Sequence, residues 1–301
     1  MGSTLCTVRL GTTTKQMTNK KLLLTGLTCG ALATALTARA DENLMGYSYG
    51  AETLPKGKWE AYSWTTARIG KDEGRYLGLD VRQELEYGIT DRLQASLYFN
   101  ERYNYAKNAA GSGEAIPDIN SFGFDGTQLA FKYNVLSPYK DKFGLAFYLE
   151  PGYSRIEKIT GERGTEYELE YKVILQKNFL DDTLVAQLNL TGESAWERAE
   201  GESEYETELA LEASGGLSYR FARNWWVGLE SRVHTELPEY EKFEHVAWFL
   251  GPNIHYGGKK WWATLTVLPQ VAGWPDERGK GGKFLAEHEQ VEVRLKVGYN
   301  F

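Results

Sequence analysis

From about residue 58 to the last residue, apolar and polar side chains alternate along the chain with a period of two. The stretch 76–89 is one example, in which the apolar residues Leu77, Leu79, Val81, Leu85 and Tyr87 share one side. The charged residues of that stretch share the other side, namely Asp80, Arg82, Glu84 and Glu86. Because successive side chains of a β-strand point to opposite faces, this pattern predicts strands with one apolar and one polar face.

Runs of this kind predict an all-β protein of about twelve strands. We place them at 58–69, 75–89, 92–105, 126–136, 142–156, 166–178, 183–198, 204–220, 225–236, 244–256, 261–271 and 288–301. Most are roughly 11 to 15 residues long, whereas strands of soluble proteins are usually about 5 or 6. A tilted strand that crosses a bilayer needs about 9 to 11 residues, so the lengths indicate membrane-spanning strands.

The links between the predicted strands alternate in length. Links after even-numbered strands are short and read TDR, SPYKDK, FLDD, FARN and GGKK, whereas two of the others, near 106–125 and 272–287, are long and polar. Short periplasmic turns and longer extracellular loops are typical of outer-membrane barrels. We expect the longest loop, 106–125, to be the segment that folds inward if the barrel has a plug.

The polar face carries about fifteen carboxylates, which would be costly in a dry protein core. An apolar face directed at lipid and a polar face directed at a wet lumen avoids that cost. Backbone groups within lipid must also be paired, which a closed barrel achieves and an open sheet does not. The predicted fold is therefore a transmembrane, antiparallel, up-and-down β-barrel of about twelve strands.

Aromatic residues gather beside the predicted short turns. Tyr and Trp favour membrane interfaces because one end of each side chain is apolar and the other is polar. We predict a girdle on the periplasmic side that contains Tyr87, Tyr219, Trp225, Tyr256, Trp261 and Tyr299. The alternative is ordinary cross-strand pairing of aromatic residues in a soluble sandwich.

Residues 1–40 differ from the rest of the chain. From Met17 onward the sequence has two lysines, a core of apolar and small residues, and an Ala-Arg-Ala site that ends at Ala40. These are the three parts of a secretory signal peptide. We predict that translation starts at Met17, that cleavage follows Ala40, and that 41–301 is the barrel domain; the alternative is a buried N-terminal helix.

Cysteine use and charge agree with an exported protein. Both cysteines, Cys6 and Cys29, precede the predicted cleavage site, so the mature chain has none, which suits an oxidising compartment. Removal of residues 1–40 takes away five basic and no acidic residues, so the net charge falls from −7 to about −12. A charge this negative argues against nucleic acid as a partner.

Two segments carry a family resemblance: GAETLPKGKWEAYSWTTAR, residues 50–68, and EYGITDRLQASLY, residues 86–98. They resemble the opening of a family of uncharacterised outer-membrane β-barrel proteins of Gram-negative bacteria. More distantly, they resemble the barrels of the meta-pathway phenol-degradation transporters. The first resemblance implies a location in the bacterial outer membrane and a barrel fold, but it implies no activity and transfers no functional residues.

The end of the chain carries a second resemblance. The last alternating strand finishes with Tyr299 and Phe301, and this ending resembles the signal that the outer-membrane assembly machinery recognises. The expected partners are therefore outer-membrane lipid and lipopolysaccharide, the barrel-assembly machinery and small solutes.

The inward charges are unevenly distributed. An acidic wall on strands six to eight consists of Glu168, Glu170, Glu193, Glu197, Glu204, Glu206, Glu208 and Glu212. The opposite wall is mixed and more basic, with Arg82, Arg102, Lys132, Arg294 and Lys296. Because an unpaired carboxylate in a dry lumen is costly, we expect the acids to be hydrated or paired.

This charge distribution favours a narrow, water-filled channel for small solutes with a preference for cations. One alternative is a structural barrel whose lumen is filled by salt bridges. Another is a transporter of hydrophobic or aromatic compounds, if Pro252 and Pro269, which interrupt ladder hydrogen bonds, mark a bulge or a seam; the alternative for these prolines, which we favour, is a simple bend in the barrel wall.

An outer-membrane lipid hydrolase is a further alternative. The histidines His234, His245, His255 and His288 are predicted to face inward or to lie at a strand end, whereas Ser231 faces outward. A nucleophile needs a base within hydrogen-bond reach, so this arrangement argues against an enzyme. We predict no catalytic residues, no cofactor and no specific metal site, although rows of glutamates offer oxygen atoms to hard cations.

Overall fold

A computed structural model of the chain describes residues 43–275 and 282–301. The predicted signal peptide of residues 1–40, with its start and cleavage sites and both cysteines, lies outside these residues. Among the residues described, no helix is long and apolar enough to cross a membrane.

The described residues form thirteen strands: β1 (Trp59–Ile69), β2 (Glu73–Thr90), β3 (Leu93–Gly111), β4 (Glu114–Ile116), β5 (Ile119–Leu136), β6 (Gly144–Ile156), β7 (Arg163–Phe179), β8 (Leu184–Ala199), β9 (Glu206–Ala222), β10 (Trp225–Pro238), β11 (His245–Gly257), β12 (Trp261–Trp274) and β13 (Val291–Asn300). Apart from β4, each strand pairs antiparallel with the next, β3 pairs with β5, and β1 pairs with β13, so the sheet closes. The short strand β4 pairs with β3 beside the ring. The predicted closed barrel of twelve strands is confirmed.

Burial along each strand follows the predicted alternation. On β13, Leu295 and Val297 are each 44% exposed, while Glu292 and Lys296 on the other face are at most 3% exposed. Apolar side chains thus cover the outside of the barrel, and charged side chains lie within it. This is the reverse of a soluble protein and is the arrangement of a barrel surrounded by lipid.

The two ends of the barrel differ. The links at one end, here called the short-turn end, are residues 91–92, 137–143, 180–183, 223–224 and 258–260. The opposite end, here called the long-loop end, includes the links 157–162, 200–205 and 239–244 and the connection between β12 and β13. The first strand begins and the last strand ends at the short-turn end, where Phe301 N–H donates to the carbonyl of Trp59 at 3.1 Å.

The segment predicted to be a loop, 106–125, is mostly strand. In it β3 and β5 continue beyond the predicted strand ends and pair with each other, and β4 adds to β3. Its inward side chains bury a small apolar cluster at the long-loop end, made of Tyr76, Ala106, Ala109, Ile116 and Ile159. This burial stabilises the ladder where glycine and asparagine indicate a loop. The expectation that 106–125 is the plug is wrong.

A different segment fills part of the lumen. Residues 43–57, here called the plug segment, begin beside β12, where Thr264 Oγ1 donates to the carbonyl of Asn43 at 2.5 Å. The segment passes up to Tyr47 and Tyr49, then returns to the short-turn end, where Gly57 N–H donates to the carbonyl of Gly88 at 2.7 Å. It therefore occupies the half of the lumen that lies nearest to the short turns.

Candidate functional site

Glu230 on β10 holds the top of the plug segment. Its carboxylate accepts hydrogen bonds from the backbone N–H groups of Gly46 at 2.9 Å, Tyr47 at 2.9 Å and Ser48 at 2.7 Å. Glu230 is fully buried. Charge-assisted hydrogen bonds of this kind offset part of the cost of burying a carboxylate, so the position of the segment depends on this residue.

Side-chain amides hold the rest of the segment. Asn189 Oδ1 accepts from the N–H of Tyr49 at 2.6 Å, and Asn189 Nδ2 donates to the carbonyl of Tyr49 at 3.0 Å. Gln176 Oε1 accepts from the N–H of Ala51 at 2.9 Å. Buried backbone groups need such partners, and here the barrel wall supplies them through side chains instead of through a strand ladder.

A chamber of about 300 Å³ lies on the long-loop side of the plug segment. Tyr47 and Tyr49 contribute to its floor, and its walls come from the strands around the ring. Fourteen Asp and Glu residues and seven Lys and Arg residues line it, so its formal charge is strongly negative. The chamber is the candidate functional site of this barrel.

Most of the predicted acidic wall lines this chamber. The six residues concerned are Glu168, Glu170, Glu193, Glu197, Glu208 and Glu212. Glu204 and Glu206 do not line it and are exposed. The reason is that β9 begins only at Glu206, so the chain before it is a loop at the edge of the barrel.

The predicted basic wall divides in two. Arg82, Arg102 and Arg294 line the chamber. Lys132 and Lys296 are buried outside its lining, at most 2% exposed. The plug segment covers this region, since Lys296 Nζ donates to Asn43 Oδ1 at 3.2 Å. These two lysines therefore do not face a solute in the chamber.

Ion pairs compensate part of the charge. The pairs are Arg68 with Asp80 at 2.9 Å, Arg102 with Asp80 at 3.0 Å and Asp125 at 3.1 Å, Arg232 with Glu212 at 2.5 Å and Glu292 at 2.7 Å, Lys172 with Glu170 at 2.8 Å, and Arg82 with Glu150 at 3.7 Å. Within residues 43–275 and 282–301, the carboxylates of Glu193, Glu197 and Glu208 have no Lys or Arg nitrogen within 4.0 Å. One wall of the chamber thus carries acidic side chains without a basic partner.

Two titratable groups lie outside the strands at the long-loop end. Burial lowers the pKa of Lys71 to about 8, and its Nζ donates to the carbonyls of Ala286 at 2.7 Å and His288 at 2.9 Å. Burial raises the pKa of Glu287 to about 7. Lys71 therefore ties the connection between β12 and β13 to the link after β1.

Three imidazoles and a carboxylate meet at the same end. His234 and Glu236 come from β10, His245 begins β11, and His288 lies between β12 and β13. One nitrogen of each ring and one oxygen of Glu236 all lie within 4.8 Å of one another. Sequence reasoning missed this cluster because it joins three separate elements. The one feature of the sequence that points to this cluster is the spacing of His234 and Glu236, two residues apart, which places both side chains on the same face of a strand.

The residues proposed for a hydrolase are not assembled. Ser231 Oγ accepts from Trp248 Nε1 at 2.9 Å on the outer surface, whereas His234 lines the chamber inside. Residues 46–50 read Gly-Tyr-Ser-Tyr-Gly, which matches the G-x-S-x-G pattern of many hydrolases. That pattern requires an exposed serine on a strand-turn-helix elbow. Ser48 is instead fully buried, and its Oγ has no hydrogen-bond partner in the part of the chain that is described.

The six aromatic residues of the predicted girdle lie near the short-turn end on the outer face. Several form contacts, with ring centroids at 4.5 Å for Trp59 and Tyr87, 5.0 Å for Trp225 and Tyr256, 4.5 Å for Tyr256 and Trp261, and 5.2 Å for Tyr299 and Phe301. Tyr219 is 49% exposed on the neighbouring strand β9. The rings thus form an exposed aromatic band around this end of the barrel.

Solved structures share this architecture. The COG4313 outer membrane channel from Pseudomonas putida F1 is similar with a TM-score of 0.53 and 14% identity, over 83% of this chain and 98% of that chain. The β domain of the Bordetella autotransporter BrkA is similar with a TM-score of 0.51 and 12% identity, over 81% of this chain and 100% of that chain. At these identities the likeness shows a common barrel fold. No curated protein matches the chain significantly.

The sequence comparison with protein families covers the whole barrel. Residues 37–301 match the family of unknown function DUF6662. This match agrees with the resemblance of residues 50–68 and 86–98 to an uncharacterised family of outer-membrane barrels. The chain therefore belongs to DUF6662, a family of unknown function.

Proposed function

We propose that this protein is a channel of the bacterial outer membrane that admits small cationic solutes, with the plug segment as its gate. The observation that carries the proposal is the chamber, in which Asp and Glu outnumber Lys and Arg by fourteen to seven. A wall of one charge sign with low-dielectric surroundings raises the local concentration of ions of the opposite sign. The similar barrel from Pseudomonas putida is an outer membrane channel, which supports this assignment.

The outer surface supports the location. Exposed apolar side chains cover the middle of the barrel, and aromatic residues surround the short-turn end. In this proposal the short turns face the periplasm and the long loops face the exterior. Outer-membrane lipid and lipopolysaccharide surround the barrel. The barrel-assembly machinery recognises the end of the chain through Tyr299 and Phe301.

Selectivity is assigned to the acids without basic partners. Glu193, Glu197 and Glu208 lie on β8 and β9 and line the chamber. A cation near them gains Coulomb attraction without first displacing a lysine or an arginine. Rings or walls of carboxylates produce cation selectivity in other channels for the same reason.

Passage through the barrel requires the plug segment to move. Tyr47 and Tyr49 lie between the chamber and the short-turn end, and both are only 7% exposed. Backbone N–H groups of the segment donate hydrogen bonds to Glu230, Asn189 and Gln176, and these bonds can break and reform. The proposal therefore assigns low conductance to the plugged state and higher conductance to a displaced state.

Ion selectivity of the refolded barrel in a planar bilayer tests the proposal. With a salt gradient across the bilayer, we expect a reversal potential of the sign that marks cation preference. The triple variant E193Q/E197Q/E208Q should lose most of that preference. The matched control is E204Q/E206Q, since both of these acids are exposed outside the chamber. Anion preference, or an equal effect of the two variants, would overturn the assignment.

A structural barrel with a closed lumen is a second candidate, and the plug segment itself favours it. The segment fills the short-turn half of the lumen, and several of its side chains are fully buried. A chain that lacks residues 41–52 separates the two candidates. If the barrel refolds without the segment and then conducts, the wall is a channel; if it refolds and shows no conductance, the structural role is correct.

Transport of hydrophobic compounds is a third candidate, and one observation favours it. Pro252 and Pro269 lie on adjacent strands at a place where the register between β11 and β12 shifts. The apolar side chains of Phe249 and Leu268 are buried beside this seam. The acidic chamber gives a hydrophobic solute no comparable surface. Growth on a hydrophobic carbon source, with and without the protein, tests this route.

A further inference from the structure

We infer that His234, Glu236, His245 and His288 form a binding site for a divalent transition-metal ion, with Zn²⁺ as the ion that suits the ligands best. The site lies at the long-loop end of the chamber, away from the plug segment. It does not depend on whether the barrel conducts ions. The inference rests on the approach of the four side chains, on their chemistry and on the groups that surround them.

The ligand atoms are already close together. His245 Nε2 and His288 Nε2 are 2.9 Å apart, and His234 Nε2 is 2.9 Å from Glu236 Oε1. A tetrahedral zinc ion about 2.0–2.1 Å from each ligand keeps neighbouring ligand atoms roughly 3.3 Å apart. Binding therefore requires the two close pairs to separate by roughly 0.4 Å, while the other ligand atoms, all within 4.8 Å of one another, approach by at most about 1.5 Å.

The chemistry of the donor set selects the class of ion. Three imidazole nitrogens and one carboxylate oxygen suit zinc, copper and nickel. Calcium and magnesium require mostly oxygen ligands, six to eight for calcium, which this cluster does not supply. Two imidazole nitrogens that face each other at 2.9 Å either share one N–H as a hydrogen bond or, with both nitrogens unprotonated, point two lone pairs at each other. A metal ion accepts both lone pairs.

Carboxylates surround the ligands as an outer shell. Glu212 Oε2 is 3.4 Å from His234 Nδ1, and Arg232 fixes Glu212 at 2.5 Å. Glu244 Oε2 lies 3.8 Å from His245 Nδ1. A carboxylate beside the second nitrogen of a ligating imidazole orients the ring and raises its basicity. His234 Nδ1 and His245 Nδ1 have no hydrogen-bond partner among the residues described, so Glu212 and Glu244 must move closer before they take this role.

Burial and packing limit the freedom of the site. His245 and His288 are fully buried, and the His245 ring stacks on Phe284 with a centroid distance of 4.3 Å and an interplanar angle of 8°. His288 Nδ1 is buried without a hydrogen-bond partner within residues 43–275 and 282–301. His234 and Glu236 line the chamber, so an ion reaches the site from the chamber. A bound ion joins β10, β11 and the connection before β13.

Metal binding to the refolded full-length barrel in detergent tests the inference. After treatment with a chelator, the protein is titrated with Zn²⁺ in competition with a chromophoric indicator, and separately with Co²⁺. We expect one Zn²⁺ per chain and a Co²⁺ visible spectrum of the intensity that four-coordinate sites show, which Zn²⁺ then abolishes. An absence of saturable Zn²⁺ binding in the folded wild-type barrel overturns the inference.

Variants locate the site. H234A and H288A should each weaken Zn²⁺ binding by more than the roughly 10- to 100-fold that outer-shell changes produce, and E212Q should fall within that smaller range. The control is H255N, because His255 lies toward the short-turn end, where Nδ1 contacts Thr264 Oγ1 at 2.7 Å. Circular dichroism and heat-modifiable migration on gels establish that each variant is folded.

The two ligand variants protect the test against misfolding. His288 is fully buried and its replacement carries the greater risk, whereas the His234 side chain is 12% exposed at the chamber wall. If H288A does not fold, the Zn²⁺ affinity of H234A alone tests the site. Unchanged Zn²⁺ affinity in folded H234A, or an equal loss of affinity in H255N, contradicts the site. Conductance is not measured in this experiment, so its failure would leave the channel proposal standing.

Discussion

The carboxylate of Glu230 accepts a hydrogen bond from the backbone N–H of Tyr47 at 2.9 Å, in the middle of the barrel lumen. The same carboxylate also holds the N–H groups of the residues on either side of Tyr47. One side chain of the wall therefore pairs with three consecutive backbone groups of the plug segment. The segment is an irregular chain of turns and bends without a ladder of its own, so side chains of the barrel wall supply hydrogen-bond partners for its backbone.

Replacement of Glu230 should loosen the plug segment. In E230A, three buried N–H groups lose their partner, and each buried polar group left unpaired costs about 1–3 kcal/mol. We expect the displaced state to gain at least about tenfold in population, because about 1.4 kcal/mol corresponds to tenfold. Single-channel recording measures this gain as a higher open probability. E204A, which changes an exposed loop carboxylate, is the control, and equal recordings for both variants would contradict the gate.

A disulfide should lock the plug segment in place. A Cβ built on Gly144 lies 2.9 Å from the Cβ of Ala51, and disulfides need about 3.5–4.5 Å between these atoms. A small backbone shift therefore allows A51C/G144C to form in a chain that starts at residue 41 and has no other cysteine. We expect the oxidised barrel to lose its openings and a reductant to restore them. A51C alone should behave as wild type under both conditions, and openings that persist after oxidation argue against movement of this segment.

Arg232 should be important for stability. Its guanidinium pairs with Glu212 at 2.5 Å and with Glu292 at 2.7 Å, and all three groups are largely buried. Removal of one partner from a buried ionic cluster costs about 3–5 kcal/mol, because the remaining charges stay buried without compensation. R232A should therefore unfold in detergent at a lower urea concentration than wild type. R223A, at an exposed turn residue, should change the midpoint little, and an R232A midpoint equal to that of R223A would refute the role of this cluster.

The extension of the β3–β5 ladder should depend on its small apolar cluster. Ala109 is 3% exposed and packs in the cluster that contains Tyr76 and Ile116. A109D buries a carboxylate there, so the extension should fray while the barrel below remains folded. Limited proteolysis should then cut between residues 106 and 118. The control is K107D, which introduces an aspartate at an exposed position two residues away. It should leave the pattern of proteolytic fragments the same as that of the wild type.

The alternation along the chain was sufficient to predict the barrel. A strand with period two has one apolar face whatever its neighbours are, so residues such as Leu295 and Glu292 could be assigned to opposite faces before the strands were paired. The inward direction of the acidic wall followed from the same rule. The depth of each acid did not, because Glu204 and Glu206 continue the pattern of β9 beyond the point where the lumen ends.

The plug segment could not be recognised in the same way. Residues 43–57 have no regular alternation, and the partners of their inner part include Glu230, Asn189 and Gln176, which are 125 to 184 residues away along the chain. Such contacts leave no local periodicity. The longest polar link, 106–125, was a more conspicuous candidate, but its small residues allow the strands to continue and to pack against Tyr76 and Ile159.

By itself the sequence determined the strand count, the direction of each face and the closed barrel, because side-chain alternation is a local property and unpaired backbone is too costly in lipid. Tertiary structure alone decided which segment fills the lumen, which carboxylates lack a basic partner, and which histidines meet. The reason is that closing the sheet brings together residues such as His234 and His288, whose distance depends on the register of strands between them. Register is a property of the whole ring, and no short stretch of the chain contains it.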